Sequence, residues 1–315
     1  MTGTTLVSIF LGRYPAPGLI SLERLSNDVL AQSLVFELRL PRILTALLLG
    51  MSLSAAGAVF QMIFGNPLVE PGFLGVSQGA SFGAAFSIIF LTRSAWAVQS
   101  SAAIFAFIGL GLSYFMARRV RYGGWVLRLV LAGIAVSALF SAALGVLKYI
   151  ADPLSQLPEI TFWLLGGLAS MTWTQCLAIL PAVLLGLAVC YRMRWRINIL
   201  SLSDETAFSL GAAPGRERAL LLAAAVVATS AVISVAGMVG WVGLIIPHIT
   251  RRIFGADARY VLPGSMLIGA LFAVLCDDLA RTAFPGEIPL GILTSLIGAV
   301  IFIFLMIRKP RIGQR

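Results

Sequence analysis

Charge is what this chain has least of. Asp, Glu, Lys and Arg make up 11% of its 315 residues, less than half the roughly 25% usual in soluble domains. Together with 59% hydrophobic residues and a mean hydropathy of +0.96, that scarcity excludes an ordinary soluble globule and points to a polytopic membrane protein. Histidine occurs once, at His248, with no Cys or carboxylate at ligand spacing; PHIT therefore reads as a helix start packed in protein, not a metal site. Cys176, Cys190 and Cys276 sit in apolar segments without a CxxC and read as core residues rather than disulfides or metal ligands. There is no G-x-x-x-x-G-K-[ST] and no Gly-Lys pair, so ATP would have to be used by a partner subunit, and no cofactor is assigned to this chain. Asp277 and Asp278 are adjacent, about 100° apart on a helix, which does not suit a carboxylate pair for acid–base work. No catalytic residue and no metal ligand is assigned. No cleavable signal pattern is visible at the N-terminus.

What is present is apolar length. Segments fall at 41–64, 74–91, 95–117, 129–150, 174–191, 219–238, 241–254, 262–284 and 288–307, nine in all, two of them short. Several are rich in Gly, Ala and Ser, which let helices approach closely in lipid. The net charge of +10 would suggest nucleic acid in a soluble protein. Here it follows the loops instead. The stretches around 116–128, 191–218 and 251–259 and the C-terminal tail hold sixteen of the 23 basic residues, which places them in the cytoplasm. Arg13, Arg24, Arg39, Arg42, Arg93, Lys148 and Arg281 make up the rest.

The loop 193–218 is the largest polar stretch between spans. Within it LSDETAFSLG reads as a short amphipathic helix, with Ser203 as its cap, Asp204 and Glu205 in its first turn, and Gly211 at its end. A connector of this kind suits docking. NPLVEPGFLGVSQGA, residues 66–80, concentrates glycine and proline; irregular backbone at membrane depth survives only when packed in protein or lining a water-filled path. A weak repeat, SAAGAV at 54–59 and SVAGMV at 234–239, has a proline at the same distance after each copy and suggests an inverted duplication.

ELRLPRILTALLLGMSLSAAGAVFQMIFGNPLVEPGFLGVSQGA resembles the opening signature of permease subunits of ABC importers for iron–siderophores, haem and vitamin B12. WLLGG, LSLSDETAFSLG, GWVGLIIPHITRRIFG, CDDLAR and EIPLGILTSLIGA follow in order, so the resemblance runs from about residue 30 to residue 309. It implies an all-α polytopic transmembrane helical bundle with the BtuC-like type II ABC importer permease fold, here with about nine spans, as a single domain over 1–315. Residues 1–38 would be an external N-terminal segment and 193–218 the cytoplasmic coupling loop. The implied partners are a second copy or close paralogue, cytoplasmic ATPase subunits, an extracytoplasmic substrate-binding protein and the bilayer of a bacterial or archaeal inner membrane, with no nucleic acid.

The resemblance also implies residue roles. Asn66, Pro67, Leu68 and Gly75 would form the gate, with Val126 and Leu127 in a second gate loop. Asp204, Glu205, Ala207, Leu210 and Gly211 would couple to the ATPase. Arg39, Arg42 and Arg281 would be exposed outside to meet acidic residues of the binding protein, as a bidentate fork suits carboxylates. Asp152, Glu159 and Glu287 would shape the entrance. Two departures stand out. Only TLVSIFLG, residues 5–12, occupies the place of a first spanning helix, and Val300 stands where the family usually has proline. The cargo implied is a siderophore or related chelate moved by alternating access. An ion-coupled secondary transporter would need mid-membrane ionisable groups, for which Asp277, Asp278 and Lys148 are the candidates. An intramembrane enzyme would need a constellation that is not visible.

Overall fold

A computed structural model describes residues 2–14, 18–284 and 286–307. Arg308, Lys309, Arg311 and Arg315 of the basic tail lie outside the described residues. Each of the nine apolar segments is a helix. They are α4 (Leu40–Phe64), α5 (Val76–Phe90), α6 (Ala95–Arg119), α7 (Trp125–Ile150), α9 (Trp173–Arg192), α12 (Pro214–Ala236), α13 (Val242–Phe254), α14 (Ala258–Thr282) and α15 (Leu290–Ile307). Shorter helices complete the order: α1 (Thr2–Phe10), α2 (Leu22–Asn27), α3 (Val29–Ser33), α8 (Gln156–Leu165), α10 (Arg194–Leu200) and α11 (Asp204–Ser209). A two-residue hairpin, β1 (Leu11–Gly12) against β2 (Gly18–Leu19), lies between α1 and α2.

The expectation of about nine spans is matched only in part. Seven helices among the described residues have the length and apolarity to cross a membrane. With 15 and 13 residues, α5 and α13 reach about 20 Å at 1.5 Å per residue, short of a ~30 Å hydrocarbon core. The first span is also longer than its apolar run. Val29–Phe64 is continuous over 36 residues, because the π-helical turn Leu34–Arg39 joins α3 to α4. At nine residues, α1 is too short to span.

Close helix approach organises the interior. A Cβ on Gly57 of α4 would lie 1.8 Å from the Gly243 carbonyl of α13, and one on Gly50 would lie 2.1 Å from the Gly269 carbonyl of α14. Ser54 adds a hydrogen bond from its hydroxyl to the Ser265 carbonyl, 2.7 Å away. Without a hydrophobic effect between helices in lipid, such backbone proximity and hydrogen bonding hold the bundle. α4, α12 and α14 form its buried centre, while α15 faces outward along most of its length. The two copies of the short repeat sit in different local structures: Gly57 is mid-helix, whereas Gly237 terminates α12 with φ 68°.

Candidate functional site

The Gly/Pro stretch folds as two tight turns between α4 and α5. Gly65 ends α4 in the left-handed conformation at φ 58°, which costs an L side chain but not glycine. Asn66 then accepts a hydrogen bond at Oδ1 from the Leu68 N–H, 2.9 Å away, an Asx turn. Pro67 and Leu68 are exposed, and Val69 is buried and anchors the turn. Pro71–Leu74 forms a 3₁₀ turn ending at Gly75, φ 77°, where a Cβ would meet Val136 at 2.7 Å. Val126 and Leu127 do not lie in a loop as expected; they form the first turn of α7, half-buried and exposed respectively. The two gate sets do adjoin. Phe64, the last residue of α4, stacks on Trp125, the first of α7, at 6.0 Å and 15°.

The loop 193–218 is mostly helical, and its last residues already belong to α12. Ser203 caps α11 by accepting from the Thr206 N–H at 3.3 Å, Asp204 and Glu205 occupy the first turn, and Gly211 follows at φ 77°. Ala207 is fully buried, whereas Phe208 is 74% and Leu210 56% exposed. α11 thus packs through one small residue and presents large apolar ones outward. Asn198 of α10 bridges to α14, donating to Asp257 at 2.7 Å and accepting from the Ala258 N–H at 2.8 Å. Hydrogen bonds from Arg259 hold the Asp257 carboxyl below the usual carboxylate range.

At the other end, the expectation of exposed arginines fails. Arg39, Arg42 and Arg281 are only 7–8% exposed, because charges carried inside a helical bundle must find partners there. Arg42 meets Asp277 at 2.9 Å and Glu287 at 2.8 Å. Arg281 pairs with Asp278 one turn back and with Ser8 of α1. Arg39, which closes the π-helical turn, donates to the carbonyls of Ile9 and Phe10 at 3.1 and 3.2 Å. Its partners are carbonyls, and Arg281 Nη1 makes no hydrogen bond. With Arg13, the three arginines line a cleft of about 350 Å³. A neighbouring cavity of about 480 Å³ shares Arg42 and Glu287 and adds Arg93, Gln99, Glu159 and Gln175. Glu159 and Glu287 line this cavity; Asp152 instead caps its own turn, accepting from the Leu154 N–H at 2.8 Å.

Several residues carry more than sequence reasoning assigned to them. Glu70 lines an inner cavity of about 230 Å³ with Gln78 and Ser137, and its carboxylate accepts from the Trp241 N–H. Trp241 caps α13 at φ 70°, the non-glycine residue with positive φ among those described. Gln61 bonds α4 to the Gly243 and Leu244 carbonyls of α13 and accepts from Arg251. Arg218 is 5% exposed and clamps α11; in the sequence it is one cytoplasmic arginine among many. His248 lies inside α13 rather than at its start. The three cysteines are buried, free thiols. Among the described residues, no three His, Cys, Asp or Glu side chains gather as a metal site would need.

Residues 1–308 match the FecCD transport family. A probable iron chelatin transport system permease protein of Helicobacter pylori is 42% identical over 278 residues, covering 87% of this chain and 82% of that protein. The molybdate import system permease protein MolB of Haemophilus influenzae is 39% identical over 320 residues, covering 99% and 94%. A solved structure described as an inward-facing conformation of a metal-chelate type ABC transporter superposes with a TM-score of 0.90 at 37% identity, covering 97% of this chain and 95% of that one.

Proposed function

This chain belongs to the FecCD transport family, and on that premise we propose that it is the membrane-spanning permease of a binding-protein-dependent ABC importer for an iron–siderophore or related chelate. The observation that carries the reading is α11. A capped helix outside the spanning helices, anchored by Ala207 and Arg218 and showing Phe208 and Leu210 to its surroundings, is shaped to seat in a groove of a cytoplasmic ATPase. The adjoining ends of α4 and α7 would then be the cytoplasmic gate, with Asn66, Pro67, Leu68, Gly75, Val126 and Leu127 about it. Two copies would enclose the pathway. Transport would follow alternating access, with ATP binding on the partner subunits moving α11 and thereby the gate.

The external arginines divide by what they already hold. Arg42 is committed to two carboxylates and serves folding. Arg281 is held by Asp278 and Ser8, whereas Arg39, whose partners are backbone carbonyls rather than carboxylates, is the one left for an incoming carboxylate of a binding protein. The same pairing argues against ion coupling through Asp277 and Asp278, which are both held by arginine. A second cargo is favoured by one observation: the molybdate permease is similar along 99% of this chain, so an oxyanion is the alternative to a chelate.

Affinity purification of the tagged chain from its own membranes in mild detergent tests this. A P-loop ATPase should co-purify in stoichiometric amount. Phe208→Glu should remove it, and Arg39→Glu should weaken retention of an added binding protein at least tenfold while leaving the ATPase bound. A folded preparation without any ATPase would overturn the reading.

A further inference from the structure

Arg218 lies at the first turn of α12, where the positive-inside pattern would let it reach water. It does not. It is 5% exposed, and its guanidinium is used on two sides. Along the edge, Nε and Nη2 donate to the Leu200 carbonyl at 3.2 and 2.7 Å, Nη2 also donates to Leu202, and Nη1 donates to Asp204 Oδ1 at 2.5 Å. These acceptors form the turn that joins α10 to α11. On its face, the same group sits 5.5 Å from the centre of the Trp125 ring. Trp125 in turn stacks on Phe64. Trp125 directly precedes Val126 and Leu127, and Phe64 directly precedes Gly65 and Asn66. One buried cation therefore touches the turn that carries α11 and the aromatic pair that joins both gate elements.

We propose that Arg218 is the positioning residue that passes displacement of α11 to the ends of α4 and α7, through Trp125 and Phe64. The inference rests on the importer reading and adds the route by which that machine would work. Four hydrogen bonds fix the planar guanidinium to the 200–204 turn. When α11 shifts, the cation must either slide off the Trp125 face or take Trp125 with it. Moving Trp125 displaces the start of α7 and, by the stack, the end of α4, where Gly65 permits the backbone to pivot. A simple staple holding α11 to α12 would need the carbonyl and Asp204 bonds but not the aromatic face. Contact alone does not demonstrate coupling; the perturbation below does.

The test is hydrogen–deuterium exchange on the intact complex of this chain with its co-purified ATPase in nanodiscs, nucleotide-free against ATP–vanadate trapped. In the unaltered complex, peptides spanning 200–210 and 65–75 should both change their exchange. In Trp125→Leu, which leaves every Arg218 hydrogen bond intact, the 200–210 response and ATP hydrolysis should persist while the 65–75 response shrinks about fivefold or more, as expected for a coupling energy near 1 kcal/mol. Arg218→Ala should do the same, and Arg218→Lys, which keeps the charge but not the planar face, should fall between. A 65–75 response that survives in Trp125→Leu at full size overturns the proposal, whatever Arg218→Ala does to folding. Should the unaltered complex show no nucleotide response at either peptide, the importer reading itself fails.

Discussion

Arg42 is bound by two carboxylates at once, and this decides what its removal does. Asp277 is almost wholly buried. Arg42→Ala leaves that carboxylate without its partner, and breaking such a pair costs ~3–5 kcal/mol. The thermal midpoint of the detergent-solubilised protein should fall sharply. Arg42→Ala with Asp277→Ala should recover much of the loss, because the orphaned charge is gone; equal midpoints for the single and double variants would show that the pair is not the cause. At this scale composition was legible in the sequence but pairing was not. On one helix, spacing lets either Asp277 or Asp278 reach Arg281, at i+4 or i+3, and Asp278 is the one that does. The pairing of Arg42 with Asp277 and Glu287 was not legible: it joins residues more than two hundred positions apart. A positive charge at an external span end looks the same in sequence whether it awaits a partner protein or already holds an acid, so three buried arginines were expected to be exposed.

Helices meet here through glycine. The contact of α4 with α13 has no room for a Cβ on Gly57, which would fall 1.8 Å from a backbone carbonyl. Backbone cannot yield as a flexible side chain can, so Gly57→Ala should destabilise by at least the ~1–3 kcal/mol typical of overpacking. Gly111→Ala in α6, where nothing lies within 4 Å, should shift stability by no more than about 1 kcal/mol. Comparing the thermal midpoints of the two variants checks this; similar losses would mean that the close approach is not what holds the bundle. Existence and order of the nine apolar helices were legible because long hydrophobic runs are the strongest signal a sequence carries. Their roles as spans were less so. α5 and α13 are apolar but short, with 15 and 13 residues, and an apolar run in sequence does not reveal how much of the bilayer its helix covers. The continuation of α4 back to Val29 was missed because Glu37 and Arg39 interrupt the apolar run, while the π-helical turn carries the backbone through them. The loop 193–218 was readable as a capped helix because capping is local chemistry: Ser203, Asp204 and Glu205 suffice.

For the molecule as a whole, the irregular segments lie between helices held firmly on either side. The turn 65–75 is pinned by Gln61 before it, by Val69 within it and by Gly75 at its end, so it can pivot without unravelling its neighbours. Arg218 and the Phe64–Trp125 stack connect it to α11. The sequence named both ends of that line by resemblance to a family, yet not the line itself, because Arg218, Trp125 and Phe64 meet only in three dimensions. The measurement that tests the account most directly is uptake into right-side-out vesicles that hold this chain with its ATPase, are loaded with ATP and are given the binding protein outside, with ⁵⁵Fe-hydroxamate and ⁹⁹Mo-molybdate as probes. Accumulation of one probe that requires ATP and survives a protonophore is the predicted result. Accumulation driven by an ion gradient without ATP would contradict it.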